Sequence, residues 1–128
     1  MQKKSRILLA EDEEDQLSLF KDILEEEGYE VIACSNGIQA LEHIHRDVPD
    51  LLVLDIKLPE VSGEDVLKTV LKENLAPHMK VLIMTGYYDY DVTRKRIEND
   101  CRDRIIGYLQ KPVDEQRFKK IIFDALSS

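Results

Sequence analysis

Glu11-Asp12, Asp55, Thr85 and Lys111 each follow a short apolar run in this 128-residue chain. Ile7 to Ala10 leads to the acidic pair, Leu51 to Leu54 to Asp55, and Val81 to Met84 to Thr85. Ile105 to Leu109 leads, through Gln110, to Lys111. Three carboxylates brought together repel by roughly 1 to 4 kcal/mol per close pair, depending on the effective dielectric. Such a cluster calls for a divalent cation. Oxygen ligands with no His or Cys suit Mg²⁺ (or Mn²⁺), which takes one or two carboxylates plus phosphate oxygens and keeps several waters. Lys111 adds a cation and Thr85 a hydroxyl donor, groups that match the charge on a transferring phosphoryl group. Asp55, at the centre, is the carboxylate best placed as nucleophile.

This chemistry requires that the four runs end at one place. Leu51 to Leu54 is continuously apolar and closes at Pro59 and Ser62-Gly63, which reads as a strand buried on both faces of a parallel sheet. Strands are expected at about 6–11, 30–34, 51–55, 80–85 and 105–110. Helical periodicity lies between them: Leu17, Phe20, Ile23 and Leu24 with Gly28 as the stop; Ile38, Leu41 and Ile44 closed before Pro49; Val66, Leu67, Val70, Leu71 and Leu75 ended by Pro77. A weak pattern around Val92 to Asn99 and a strong one through Phe118, Ile121, Ile122, Ala125 and Leu126 complete five β-α repeats. Glu13, Glu14 and Asp15 fall in the first helix's first turn, where the macrodipole favours them. Right-handed crossovers then give one α/β domain over residues 1–128, a doubly wound parallel sheet with helices on both faces. The length suits the flavodoxin-like (βα)5 order 2-1-3-4-5, in which strands 1, 3, 4 and 5 bring their carboxyl ends together. Ligands of open α/β sheets gather at that rim.

Composition narrows the classes. Hydrophobic residues at 43% and charged residues at 34% suit a soluble globular domain. A net charge of -8 repels nucleic acid and anionic membrane surfaces, so no direct nucleic-acid or membrane binding is expected. No apolar stretch approaches the roughly 18 residues of a membrane span, and the run behind the basic start ends at Ala10, too short for a signal peptide. Cys34 and Cys101 are in no metal spacing and read as reduced thiols of a cytoplasmic protein. His43 and His45 point in different directions on their helix and cannot share a metal; with His78 they read as surface residues.

Taken together, these residues resemble the receiver domains of bacterial two-component response regulators, the fold of the chemotaxis receiver. The resemblance spans essentially the whole chain. It rests on Glu11-Asp12, Asp55 followed by Leu58-Pro59 and Ser62-Gly63, Thr85, Tyr108, and Lys111-Pro112. It implies that Asp55 accepts a phosphoryl group from a phosphohistidine on a histidine kinase or histidine phosphotransfer protein. Asp12, Asp55 and the backbone carbonyl of Lys57 would hold Mg²⁺, with Glu11 acting directly or through water. Lys111 would pair with Asp55 and then with a phosphate oxygen, while Thr85 and Tyr108 would form the switch that changes a partner-binding surface. The bond before Pro112 is expected to be cis. Such a chain is a switch more than an enzyme, with slow self-catalysed loss of phosphate.

The sequence departs from the family pattern between Thr85 and Lys111. That stretch is a few residues longer than usual and has Asn99 to Arg104 where a small-residue turn is expected. Tyr87, Tyr88 and Tyr90 read either as a partner-recognition patch or as aromatics packing a long loop. Lys57, with Gly86 and Tyr87, is expected to tune how readily water reaches a phospho-aspartate. A haloacid-dehalogenase-type phosphatase needs a second Asp where Lys57 stands, and a flavodoxin needs a phosphate cradle where Glu11 to Asp15 would repel it. The alternative that survives is a non-phosphorylated receiver fold kept only as a protein-interaction module.

Overall fold

A computed structural model describes residues 4–86, 95 and 103–127. Five strands form one parallel sheet: β1 (Arg6–Ala10), β2 (Glu30–Cys34), β3 (Leu51–Asp55), β4 (Lys80–Thr85) and β5 (Ile105–Gln110). Their order is β2-β1-β3-β4-β5. The described helices are α1 (Glu14–Glu26), α2 (Gly37–Asp47), α3 (Gly63–Lys72) and the C-terminal helix α4 (Glu115–Leu126). The doubly wound flavodoxin-like arrangement expected from the sequence is therefore present. None of the described helices is long and apolar enough to cross a membrane.

Strand pleating divides the core into two layers. Leu8, Ala10, Leu52, Leu54, Val81 and Ile83 face α2 and α3, packing on Ala40, Ile44, Val66, Leu67 and Val70. Ile7, Leu9, Leu51, Val53, Leu82 and Met84 face the opposite way, against Phe20, Ile23, Leu24, Phe118 and Ile122 of α1 and α4. Both faces of β1, β3 and β4 are thus covered, which is why their sequences run apolar without alternation. Phe20 and Phe118 meet with ring centroids 5.0 Å apart, tying α1 to α4. A register shift between Val81 and Leu82 sets Ile83 beside Tyr108 and Thr85 beside Gln110.

Local signals act as their chemistry dictates. Asn36, Ser62 and Asp114 accept hydrogen bonds from the first turns of α2, α3 and α4. Gly28 takes a φ of 95° just past the end of α1, the left-handed conformation that glycine adopts freely.

The structure corrects several expectations. β1 ends at Ala10, not Glu11, although the Glu11 N–H still donates to the Cys34 carbonyl at 3.1 Å. Leu75 lies beyond the end of α3; Asn74 turns left-handed at φ 50° and the Leu75 N–H closes the turn on the Val70 carbonyl. Ile38 was expected on the inner face of α2 but is 45% exposed, because Gly37, Ala40 and Ile44 fill that face. His43 is half-buried, its Nδ1 2.8 Å from Asp47 Oδ2, whereas His45 and His78 are exposed. Cys34 is buried, and burial pushes its thiol up to about 12, leaving it unreactive. The expected helix around Val92 to Asn99, Tyr87, Tyr88, Tyr90 and Cys101 lie outside the described residues.

Candidate functional site

The carboxyl rim of the sheet collects the chemistry-bearing residues from four strands. Asp55 is the last residue of β3, and the ladder continues past it through the Ile56 N–H to the Met84 carbonyl at 3.1 Å. Thr85 is the last residue of β4, and its carbonyl accepts from the Lys111 N–H at 2.8 Å. Glu11 is fixed by its backbone bond to Cys34. Pleat parity puts Asp55 on the α1 and α4 side of the sheet and Thr85 on the α2 and α3 side, with Tyr108. The Lys111-Pro112 peptide bond is cis.

Lys111 is the hub. Its Nζ donates to Glu11 Oε1 at 2.7 Å and to Asp55 Oδ2 at 2.6 Å. Asp55 Oδ1 accepts from the Lys57 N–H at 3.0 Å, so both of its oxygens are oriented. Glu11 is fully buried, Asp55 nearly so, and Asp12 exposed, which leaves the cluster open to solvent on one side. One carboxylate oxygen from each of Glu11, Asp12 and Asp55 lies within 4.8 Å of the others.

The electrostatics follow from this packing. Burial pushes the Glu11 carboxyl up to about 8, assisted by the neighbouring Asp55 carboxylate and opposed by the Lys111 ammonium. Burial works to lower the Lys111 pKa, but the hydrogen bonds to Asp55 and Glu11 outweigh it and hold the ammonium above its ordinary value. One ammonium is therefore shared by the Asp55 carboxylate and a Glu11 carboxyl that keeps its proton below about pH 8.

These residues fit Mg²⁺. All donors are oxygens, the ligand type that Mg²⁺ prefers, and the three carboxylates lie within 4.8 Å of one another. Glu11 Oε2 is buried with no hydrogen-bond partner among the described residues, an acceptor that a cation or its water shell satisfies.

Among the described residues, no hydrogen bond from its hydroxyl ties Thr85 into this cluster. Thr85 is 1% exposed, and its hydroxyl has no hydrogen-bond partner among the described residues. Tyr108 is half-buried against the α2 and α3 layer, one strand over on the same face. Lys57 is exposed and stands two residues after Asp55. Sequence reasoning named Ser62-Gly63 only as a turn and as part of the family pattern and missed Gly37; both glycines pack the loop after β3 so closely that neither has room for a side chain. Ser62-Gly63 was visible as a turn signal, but a turn signal says nothing about what approaches the turn.

The comparisons with known proteins agree with this geometry. A sequence model of the response regulator receiver domain matches residues 7–123. The polar-differentiation response regulator DivK of Brucella anthropi is 33% identical over 116 residues, covering 91% of each chain. Among solved structures, a CheY-like response regulator receiver domain from Methanospirillum hungatei superposes with a TM-score of 0.84 at 30% identity, covering 98% of this chain and 95% of its own. The receiver domain of the sensor histidine kinase PA1611 from Pseudomonas aeruginosa, which has magnesium coordinated in its active-site cleft, gives 0.79 at 21% identity. It covers 98% of this chain and 100% of its own, a likeness of fold.

Proposed function

This chain belongs to the response regulator receiver domain family, and from that premise we propose that it is a phosphorylation-dependent switch with Asp55 as phosphoacceptor. The observation that carries this reading is the shared ammonium: Lys111 binds Asp55 and Glu11 at 2.6 and 2.7 Å, at the mouth of a three-carboxylate cluster. A structural ion pair needs one carboxylate. Three acids beside one half-buried lysine, open on one side, form a site for a divalent cation and a phosphoryl group.

The donor is a phosphohistidine on a histidine kinase or histidine phosphotransfer protein, and the setting is cytoplasmic. A carboxylate oxygen of Asp55 forms the new P–O bond as the N–P bond to imidazole breaks. The imidazole nitrogen keeps the electron pair and takes a proton. Asp12, Asp55 and the Lys57 carbonyl, with Glu11 directly or through water, would hold Mg²⁺ (or Mn²⁺), which would supply positive charge facing the phosphoryl oxygens. The Lys57 N–H holds Asp55 Oδ1 in place before attack. Lys111 leaves its carboxylate partners for a phosphoryl oxygen, and the open hydroxyl of Thr85 supplies a second donor. Tyr108 follows Thr85 inward, and the surface read by a partner changes by population shift. The phosphoryl group is lost slowly by hydrolysis, so the chain acts as a switch and turns over no substrate.

Intact mass after incubation with Mg²⁺ and a small-molecule phosphodonor tests this. One phosphoryl adduct is expected on the wild type, with none without Mg²⁺ and none on Asp55→Asn. Absence of an adduct with that donor and with phosphorylated kinase partners would leave a protein-interaction module.

A further inference from the structure

The loop from Ile56 to Ser62 links the acceptor strand to α3, and its two flanks are held by glycines from different elements. Gly63, at the start of α3, donates to the Ile56 carbonyl at 2.8 Å. A Cβ there would lie 2.2 Å from the Asp55 carbonyl oxygen. Gly37, at the start of α2, donates to the Pro59 carbonyl at 3.2 Å. A Cβ on Gly37 would lie 1.8 Å from the Val61 carbonyl oxygen and 2.6 Å from its carbon. The atoms it would meet are mostly backbone, so no side-chain rotation relieves the contact.

Gly37 belongs to no part of the site. It lies a helix and a strand before Asp55 in sequence, and it reaches the loop because β2, which leads into α2, lies beside β1 in the sheet. The loop it touches is held along its length. Leu58 is buried, Val61 packs on the α2 and α3 layer, and the Val61 N–H turns back to the Pro59 carbonyl at 2.9 Å. Between them Glu60 is forced to a φ of 70°, a strained conformation for a residue with a side chain. A loop that holds such a residue is over-determined by its surroundings. On the α2 side, Gly37 is that surrounding: Asn36 caps the helix by accepting from Gln39, and the Gln39 side chain accepts from Ser35 in return. The first turn of α2 is a built abutment.

We propose that Gly37 is a positioning residue for phosphoryl transfer. By letting the backbone of α2 touch the backbone of the loop, it fixes where the Lys57 main chain sits relative to Asp55. The proposal rests on the phosphoacceptor reading above and adds to it a remote determinant on a different β-α unit. Real Cβ contacts stay beyond 3.0 Å, so alanine at position 37 must push the loop by at least about 1.2 Å, the difference from 1.8 Å. A displacement on the order of 1 Å at a positioning element costs roughly a hundredfold in rate.

The test compares wild type, Gly37→Ala and Gly107→Ala. Gly107 serves as the control because an added Cβ there meets only ordinary contacts from 3.5 Å outward. Each protein is followed for thermal unfolding, Mg²⁺ affinity by titration, and initial rate of adduct formation with the small-molecule phosphodonor. Gly37→Ala is expected to remain folded, to bind Mg²⁺ several-fold more weakly and to gain phosphate at least tenfold more slowly at saturating Mg²⁺. Gly107→Ala is expected to match the wild type in both. A folded Gly37→Ala with wild-type affinity and rate overturns the proposal. A wild type that forms no adduct overturns the phosphoacceptor reading instead, so the two failures are distinct. Should Gly37→Ala not fold, amide exchange in the wild type decides: the Gly37 N–H is expected to gain several-fold protection when Mg²⁺ binds. Unchanged exchange at Gly37 then overturns the proposal.

Discussion

Replacing Lys111 by alanine removes the only cation that Glu11 and Asp55 share among the described residues, and the consequence is predictable in sign and size. The ammonium lies 2.7 and 2.6 Å from two carboxylates that are 0% and 6% exposed. Breaking a buried pair costs about 3–5 kcal/mol; Lys111 is 19% exposed, so screening reduces this to roughly 2–3 kcal/mol. The loss depends on pH through Glu11. Its folded pKa near 8 is raised above the 4.5 of an ordinary glutamate, so the metal-free folded protein holds a proton that the unfolded chain has released. The stability this proton contributes is full below about pH 4.5 and is lost as pH rises through about 8. Lys111 pulls that pKa down, so the variant keeps its proton to higher pH. At about pH 6 Glu11 is protonated in both proteins, and they differ by the Lys111–Asp55 pair alone. Above about pH 8 the wild type ionises Glu11 against the ammonium and the variant does not. The stability gap therefore widens there by on the order of 1 kcal/mol per pH unit. Urea unfolding in chelator at about pH 6 and about pH 9 measures this directly. Mg²⁺ then stabilises the variant more than the wild type, by about 1.4 kcal/mol if its affinity rises tenfold. An identical loss at both pH values, with equal Mg²⁺ increments, would refute the claim that these side chains interact as one charge cluster.

Two further substitutions probe the acceptor loop. Glu60→Gly relieves the left-handed backbone at φ 70° and is expected to stabilise the fold by about 1 kcal/mol in urea unfolding; a destabilised variant would show that the Glu60 side chain holds the loop. Lys57→Ala shortens an exposed side chain beside the acceptor and is expected to shorten the phospho-aspartate half-life several-fold, because water reaches the phosphorus more easily. A half-life unchanged from wild type would sink that role for Lys57.

Strand positions were legible because burial on both faces leaves a signature that no helix segment of similar length shares here. Leu51 to Leu54 has no polar residue to spare, since α1 and α4 cover one face of it and α2 and α3 the other. The acidic, hydroxyl and lysine positions were legible for the same reason. A charge that ends a buried run must emerge at the rim, and four runs emerging together define a site before any distance is known. Ile38 was misread because periodicity counts apolar side chains. The inward position of that turn belongs to Gly37, where contact is made by backbone and carries no hydrophobic signal. His43 was misread similarly: its burial comes from an i, i+4 bond to Asp47 that composition alone does not reveal.

The difference between these cases is physical. Sequence reports what a side chain needs from its surroundings, and apolar or charged groups need something definite. It reports poorly on what a residue must not have. Gly37 and Gly63 matter through the absence of a Cβ at 1.8 and 2.2 Å from carbonyl oxygens of the acceptor segment. Asn36-Gly37 and Ser62-Gly63 read equally well as ordinary helix starts, and both do cap their helices. The second duty of each glycine follows only from the sheet order, which places the start of α2 against the loop that leaves β3. The charged and hydroxyl groups that meet at the site are thus written in the side chains of the rim. The contacts that pack the loop after β3 are written in the side chains that two neighbouring helix starts lack.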